Sequence, residues 1–307
     1  MINTVYRLVA PRRFEIAFED INLFGENAIV RPTYLSICNA DMRYYLGTRD
    51  AKVLAEKLPM ALIHEGVGEV FLDPTGTFKT GDKVVMVPNA PVEKDEFIAE
   101  NYLRSSKFCG SSMDGFLQEF VEISPKRLVK LPDDIDMTVA AFTEIVSVSV
   151  HAISRFDKIA HARRNTISVW GDGNLGYITS LFLKYHFPKS KIVVFGTSSD
   201  KLADFTFADE THLVNEVPDG FTTDHAFECV GGNGSPIAIE QIIGLIKPEG
   251  TISILGVSEY PVPINTRMIL EKGLRVFGSS RSGVKDFAKT VDMYKKHPEI
   301  IDYLGNL

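Results

Sequence analysis

A chain of 307 residues is long enough for about two domains at roughly 150 residues each, so it can bury a sizeable core without disulfide or metal staples. Its 45% hydrophobic and 24% charged residues, with 15 prolines and 23 glycines, exclude wholesale disorder and a collagenous or low-complexity chain. A net charge of −7 argues against a duplex-binding protein, because neutralising phosphates needs clustered positive charge.

The opening residues 1–14 contain no apolar h-region, and no run approaches the roughly 18 apolar residues of a membrane span. A cytoplasmic protein with no membrane span is expected. Cys38, Cys109 and Cys229 are odd in number and far apart, which fits a reducing compartment and excludes a disulfide framework.

From Tyr6 to about Lys130 the sequence reads as short β segments cut by turns: Ala28 to Arg31, Gly66 to Phe71, and Lys83 to Val87 after the turn at 79–82. Thr138 to Phe156 is apolar enough for a buried helix, with acidic residues 133–136 near its start. The domain boundary falls near this helix. Then comes a strand at Thr166 to Trp170, a glycine-rich turn, a helix from Leu175 to about His186 and a strand at Lys191 to Phe195. Further on the spacing predicts a strand at Asp224 to Cys229 and a helix from Ser235 to Ile246. A turn at 247–250 follows, then strands at Thr251 to Leu255 and Leu274 to Phe277, and a helix at Val284 to His297. Strands alternating with helices imply an α/β, doubly wound parallel sheet.

Gly171-Asp172-Gly173-Asn174-Leu175-Gly176 spells GxGxxG between a predicted strand and a predicted helix. The first glycine suits the tight turn, the second lets the backbone approach a pyrophosphate, and the third lets helix and strand pack closely, with Asn174 and Leu175 opening the helix. A glycine turn without ligand is the plainer alternative. About 20 residues on, an NAD enzyme places a carboxylate on the ribose 2′-hydroxyl, but here the strand ends in Phe195-Gly196-Thr197-Ser198-Ser199-Asp200-Lys201. Thr197, Ser198 and Lys201 accommodate a 2′-phosphate, so NADPH is expected; Asp200 at the ribose would instead allow NAD.

Three segments carry candidate metal ligands: Cys38 with Asp41, His64 with Glu65, and Glu144. Taken singly, Cys38 also reads as a small buried hydrophobe and His64 as a hydrogen-bonded core histidine. With the dinucleotide unit, these residues resemble the zinc-dependent medium-chain dehydrogenase/reductase family. In that family a Cys, the His of a Gly-His-Glu-Gly segment, and a third Cys or Glu hold the catalytic zinc. Cys38 and His64 match, with Ile63 in place of the family's Gly, and Glu144 to Ala152 is similar to a segment of polyol dehydrogenases.

The resemblance implies residues 1–150 as a β-rich GroES-like catalytic domain and 151–280 as a Rossmann NADP(H)-binding domain. It also implies 281–307 as a return segment, incomplete because relatives run some tens of residues further. It implies zinc on Cys38, His64 and Glu144, with Glu65 as an exchangeable ligand and Asp41 holding His64. Relatives with a second, structural zinc hold it on four closely spaced cysteines, whereas residues 88–114 contain only Cys109, so one catalytic zinc per subunit and no structural zinc is expected. The resemblance also implies Cys229 and Val230 on a Rossmann strand end, packing beside the cofactor.

Within the family, Ser36 to Tyr45, Trp170 to Tyr177, Leu255 to Tyr260 and residues 265–283 are most similar to the bacterial ribulose-5-phosphate reductases of teichoic acid synthesis. That branch implies NADPH-dependent interconversion of D-ribulose 5-phosphate and ribitol 5-phosphate. It also implies a homodimer and a cytidylyltransferase as functional partner. Arg281 and Arg43 are candidates for the substrate phosphate, which guanidinium forks suit better than a lysine point charge; either could instead be a solvated surface arginine. Tyr44 is a candidate near the substrate, with core packing as its alternative. Ala40 stands where relatives carry a hydroxyl proton relay, which leaves Glu65, Tyr44 or a water for that task. An unphosphorylated polyol or ketose as substrate, or a non-catalytic NADPH-binding protein, are the competing readings.

Overall fold

The computed structural model describes residues 1–307, which form two compact units, Met1–Ser147 with Arg281–Gly305, and Val148–Ser280 with Asn306–Leu307. No helix is long and apolar enough to cross a membrane.

The first unit is built on antiparallel β structure. Its central sheet has the order Leu128–Lys130, Lys83–Met86, Glu65–Leu72, Ala28–Ser36, Val121–Ile123. Alternate residues of these strands, among them Val30, Val70, Val84, Met86 and Val121, turn into one apolar cluster with Leu8, Leu62 and Phe116. A second sheet has the order Arg13–Asp20, Ile2–Ala10, Met60–Ala61, and a third pairs Asn89–Ala90 with Lys107–Phe108. The sequence reading misses the hairpin Ile2–Ala10/Arg13–Asp20, although Phe14, Ile16 and Phe18 alternate with Glu15, Ala17 and Glu19 in its outer strand; in the fold that strand is exposed except at Ala17. It also misses the short helices Asn39–Leu46, Ala51–Lys57 and Glu299–Leu304.

The helix expected from Thr138 to Phe156 is two helices, Met137–Ala140 and Thr143–Ile159. Asp136 caps the first by accepting from the Thr138 N–H at 2.8 Å, and the Thr143 hydroxyl donates to the Ala140 carbonyl at 2.6 Å where the second begins. The expected turn at 247–250 lies within the strand Ile246–Ile254 as an irregularity: Thr223 pairs with Ile246 and His225 with Thr251, so 247–250 leave the ladder, and Glu249 holds a left-handed φ of 62°.

The second unit is a six-stranded parallel sheet in the order Glu210–Leu213, Lys191–Gly196, Thr166–Trp170, Thr223–Glu228, Ile246–Ile254, Arg275–Gly278. Numbered along the chain this is 3-2-1-4-5-6, the doubly wound Rossmann order, whose direction reverses between Thr166–Trp170 and Thr223–Glu228. The inner strands are near-continuous buried runs, as a sheet covered on both faces requires. Trp170 and Phe195 stack across neighbouring strands with centroids 4.4 Å apart.

His225, fully buried in the strand Thr223–Glu228, bonds to the Arg163 carbonyl through Nε2 at 3.0 Å and accepts the Thr251 N–H at Nδ1, 3.1 Å. Burial, and then the neighbouring His161, push its pKa down to about 4. Folding therefore favours neutral His225, while the unfolded chain takes up the proton near pH 6.5. Stability is expected to fall as pH drops from 6.5 towards 4. Denaturant midpoints across that window measure it, and a His225→Asn variant should show the flatter profile.

Candidate metal and cofactor sites

The metal site is assembled by strand register. Ser36 pairs with Glu65 at the end of the ladder between Ala28–Ser36 and Glu65–Leu72, which brings the segments carrying Cys38 and His64 side by side. Cys38 then caps the helix Asn39–Leu46. The Cys38 Sγ, a His64 nitrogen and a Glu65 carboxylate oxygen lie within 4.8 Å of one another. The His64 Nε2 is 4.0 Å from Glu65, and the Nδ1 is 3.6 Å from Asp41 on the other side of the ring.

Asp41, 2% exposed, ties the site together. Its Oδ2 accepts the Cys38 N–H at 3.0 Å and its Oδ1 accepts the Ile63 N–H at 3.0 Å. Ile63 holds a left-handed φ of 72°, a conformation costly for a β-branched residue. The backbone thus keeps a shape that suits glycine, with the Ile63 N–H on Asp41 and its carbonyl accepting from the Phe116 N–H at 2.7 Å.

The charges in this pocket oppose one another. Burial, and then the nearby Glu144, push the Glu65 carboxyl up to about 8. Burial raises Glu144 and Cys38 as well. Burial pulls His64 down, but Asp41, Cys38 and Glu144 outweigh it and hold the imidazolium up to about 11. Two buried carboxyls and a half-buried thiol that resist ionising are a donor set lacking a cation, and a divalent ion inverts that balance. Tetrahedral zinc with bonds of about 2.0–2.3 Å spaces its ligands by roughly 3.3–3.8 Å, so donors within 4.8 Å need only small side-chain movements. Thiolate, imidazole and carboxylate are zinc donors, and three protein ligands leave one position open. The residues present therefore fit a catalytic zinc.

Glu144 stands outside this three-residue group. It is buried in the first turn of the helix Thr143–Ile159 and interacts electrostatically with His64, Glu65 and Arg281. Arg281 holds a left-handed φ of 56°, and its guanidinium lies 4.6 Å from the centre of the Phe108 ring. Burial lowers its pKa against the opposing pull of Glu144 and Tyr44. Tyr44 is 3% exposed, whereas Arg43, its neighbour on the helix, is half-buried. The sequence reading overlooks Phe108, whose ring is also 5.4 Å from that of His64; a lone aromatic in a loop-rich stretch carries no signal.

In the second unit the glycine turn meets the demands of a dinucleotide. Gly171 has φ 131°, and a Cβ there would come within 3.0 Å of the Cys229 backbone. A Cβ on Gly176 would meet the Gly171 carbonyl oxygen at 2.0 Å, so helix and turn close only on glycine. Above Gly173, which caps the helix Asn174–His186, the space is open for 4 Å, as a backbone that receives a pyrophosphate requires. Asn174 is exposed and Leu175 half-buried there.

Two carboxylates the sequence reading missed organise the loops at this edge. Asp172 Oδ2 accepts from the Thr197 N–H at 2.6 Å, the Thr197 hydroxyl at 3.1 Å and the Ser198 N–H at 2.8 Å. Burial pushes the Asp172 carboxyl up, but these bonds outweigh it and hold it low. Glu228 accepts from the N–H groups of Val230, Gly231 and Gly256 at 2.8–3.1 Å. Thr197, Asp200 and Lys201 are exposed and Ser198 half-buried. Cys229 is buried with its Sγ 3.7 Å from the Thr179 hydroxyl, while Val230 is 42% exposed.

Residues 25–133 match the family of alcohol dehydrogenase GroES-like domains, and residues 188–296 match the zinc-binding dehydrogenases. Over all 307 residues the chain is 57% identical to ribulose-5-phosphate reductase 1 of Staphylococcus aureus (strain NCTC 8325 / PS 47), spanning 90% of that protein. The chain belongs to the zinc-binding medium-chain dehydrogenase family. Another member, ribulose-5-phosphate reductase of Bacillus spizizenii (strain ATCC 23059 / NRRL B-14472 / W23), is 56% identical over the whole chain and 90% of its own length. The solved structure of S. aureus TarJ in complex with NADPH superposes with a TM-score of 0.90 at 52% identity, covering all of this chain and 89% of that one. The Gly171–Gly176 turn follows the strand Thr166–Trp170, where the order of the parallel sheet switches.

Proposed function

We propose that this protein is an NADPH-dependent reductase of D-ribulose 5-phosphate, converting its C2 carbonyl to the secondary alcohol of ribitol 5-phosphate in a reversible reaction. The observation that carries this reading is 57% identity over the full chain to a ribulose-5-phosphate reductase, in a chain that keeps the Cys38–His64–Glu65 donor group.

Cys38 and His64 hold the metal, with Glu65 at the third position and Glu144 behind it as the group that can exchange with Glu65. When bound, zinc supplies a Lewis acid for the carbonyl oxygen, and NADPH supplies the hydride. Asp41 fixes the tautomer and aim of His64 by facing its Nδ1. Arg281, its guanidinium over the Phe108 ring and half-buried, presents a fork to the substrate phosphate, and Arg43 is the second candidate. Because Ala40 cannot relay a proton, the alkoxide is protonated from Glu65, Tyr44 or a water.

Gly171, Gly173, Asn174, Leu175 and Gly176 receive the pyrophosphate. Thr197, Ser198 and Lys201 surround the 2′-phosphate, and Cys229 and Val230 pack beside the nicotinamide half. The exposed edge strand Arg275–Gly278 supports a homodimer joined at that edge. The product is an acceptor for a cytidylyltransferase in cytoplasmic synthesis of an activated polyol for the cell wall.

The test is the initial rate of NADPH oxidation with D-ribulose 5-phosphate, run against D-ribulose and against NADH. Charge-assisted contacts to a phosphate are worth about 1.5–3 kcal/mol each, so kcat/KM should favour the phosphorylated ketose by roughly 100-fold or more. Equal values for ribulose would favour an unphosphorylated ketose or polyol instead.

A further inference from the structure

Asn89 opens the two-residue strand Asn89–Ala90, paired antiparallel with Lys107–Phe108. It is completely buried, and neither its Oδ1 nor its Nδ2 has a hydrogen-bond partner. A carboxamide offers two donors and two acceptor lone pairs, and burying them unmet costs free energy that an apolar residue would not. The backbone gives no reason for asparagine here. Its φ lies outside the left-handed region, and asparagine is a poor strand former.

Its direction follows from the ladder. The Cys109 N–H donates to the Pro88 carbonyl at 3.0 Å, so Asn89 and Phe108 oppose each other as a pair without mutual hydrogen bonds. In that geometry the two side chains share a face and approach closest. The Phe108 ring on this face lies 5.4 Å from the His64 ring and 4.6 Å from the Arg281 guanidinium. Ala90 and Cys109 face the other way, lining a separate cavity with Asp114 and Arg127. The strand pair thus turns Asn89 towards the His64–Arg281 pocket.

We infer that Asn89 is a substrate-binding residue, whose carboxamide exchanges hydrogen bonds with a hydroxyl of a polyhydroxylated ketose next to the carbonyl being reduced. This inference rests on the reductase reading and adds to it a determinant for the hydroxylated chain, separate from the phosphate. A pocket built to bond a hydroxyl rejects compounds lacking it, because its own polar group is then left unmet.

The experiment compares wild type with Asn89→Ala and Asn89→Leu, measuring thermal midpoint, zinc content, and kcat and KM for D-ribulose 5-phosphate with NADPH. The expected result is a midpoint equal to or above wild type in Asn89→Leu, zinc retained in both variants, and kcat/KM lower by roughly 10- to 100-fold in both. A merely structural asparagine gives the opposite pairing, lower midpoints with undiminished kcat/KM in the protein that remains folded, and overturns the inference. Wild-type turnover matched by both variants overturns it alone. A wild-type protein inert towards ribulose 5-phosphate overturns the reductase reading and this inference with it.

Discussion

Replacing Cys38 with alanine is expected to strip the metal from the protein and to lower kcat by roughly 1,000-fold or more, since Lewis-acid polarisation of a carbonyl is worth several kcal/mol and each 1.36 kcal/mol is tenfold in rate. The fold should survive. Cys38 is only half-buried and lies outside the apolar cluster beneath the site, so thermal midpoints should stay within a few degrees of wild type. Zinc per subunit, measured by elemental analysis beside the rate, checks both halves. Full activity with full zinc in Cys38→Ala would mean that the donor group in this pocket is not the reactive centre.

Asp41→Ala should damage both stability and metal binding, because one carboxylate serves both ligand segments. It leaves the buried Cys38 and Ile63 N–H groups without their acceptor and removes the partner facing His64 Nδ1. An unmet buried donor costs about 1–3 kcal/mol, and losing the partner of a metal-bound histidine costs about 10- to 100-fold in metal affinity. Asp41→Asn keeps one acceptor oxygen and should fall between alanine and wild type in both. The strained Ile63 backbone makes the effect specific. With its N–H released, the residue has less holding it at φ 72°, and the aim of His64 loosens. Competition with a chromophoric chelator gives the affinities, and denaturant melts give the stabilities.

The parallel sheet was the most legible part of the chain. Its inner strands are buried on both faces, as in Lys191–Gly196, and the glycine turn stands between one of them and a helix; the half-exposed edge strand Glu210–Leu213 gave no such run. The antiparallel unit was less legible. The strand Arg13–Asp20 hides no face, and the helices between residues 39 and 57 are only seven or eight residues long. In the candidate site, residue types such as Cys38 and His64 were readable because their chemistry is rare. Their grouping depends on the Ser36–Glu65 pairing, which only the fold supplies, as it supplies the electrostatic interaction of Glu144 with both His64 and Glu65. Asp172 and Glu228 read as ordinary charges until their loops are in place, and Asn89 carries no signal until its carboxamide is seen buried and unpaired.

Hydride delivery to C2 of a phosphorylated ketose leaves its mark on the product. With NADPH carrying deuterium at the transferred position of C4, the protein should turn D-ribulose 5-phosphate into ribitol 5-phosphate with one deuterium at C2, read by NMR, one product per cofactor oxidised. Arabinitol 5-phosphate as product, a label at another carbon, or cofactor oxidation without a labelled polyol phosphate would contradict the account.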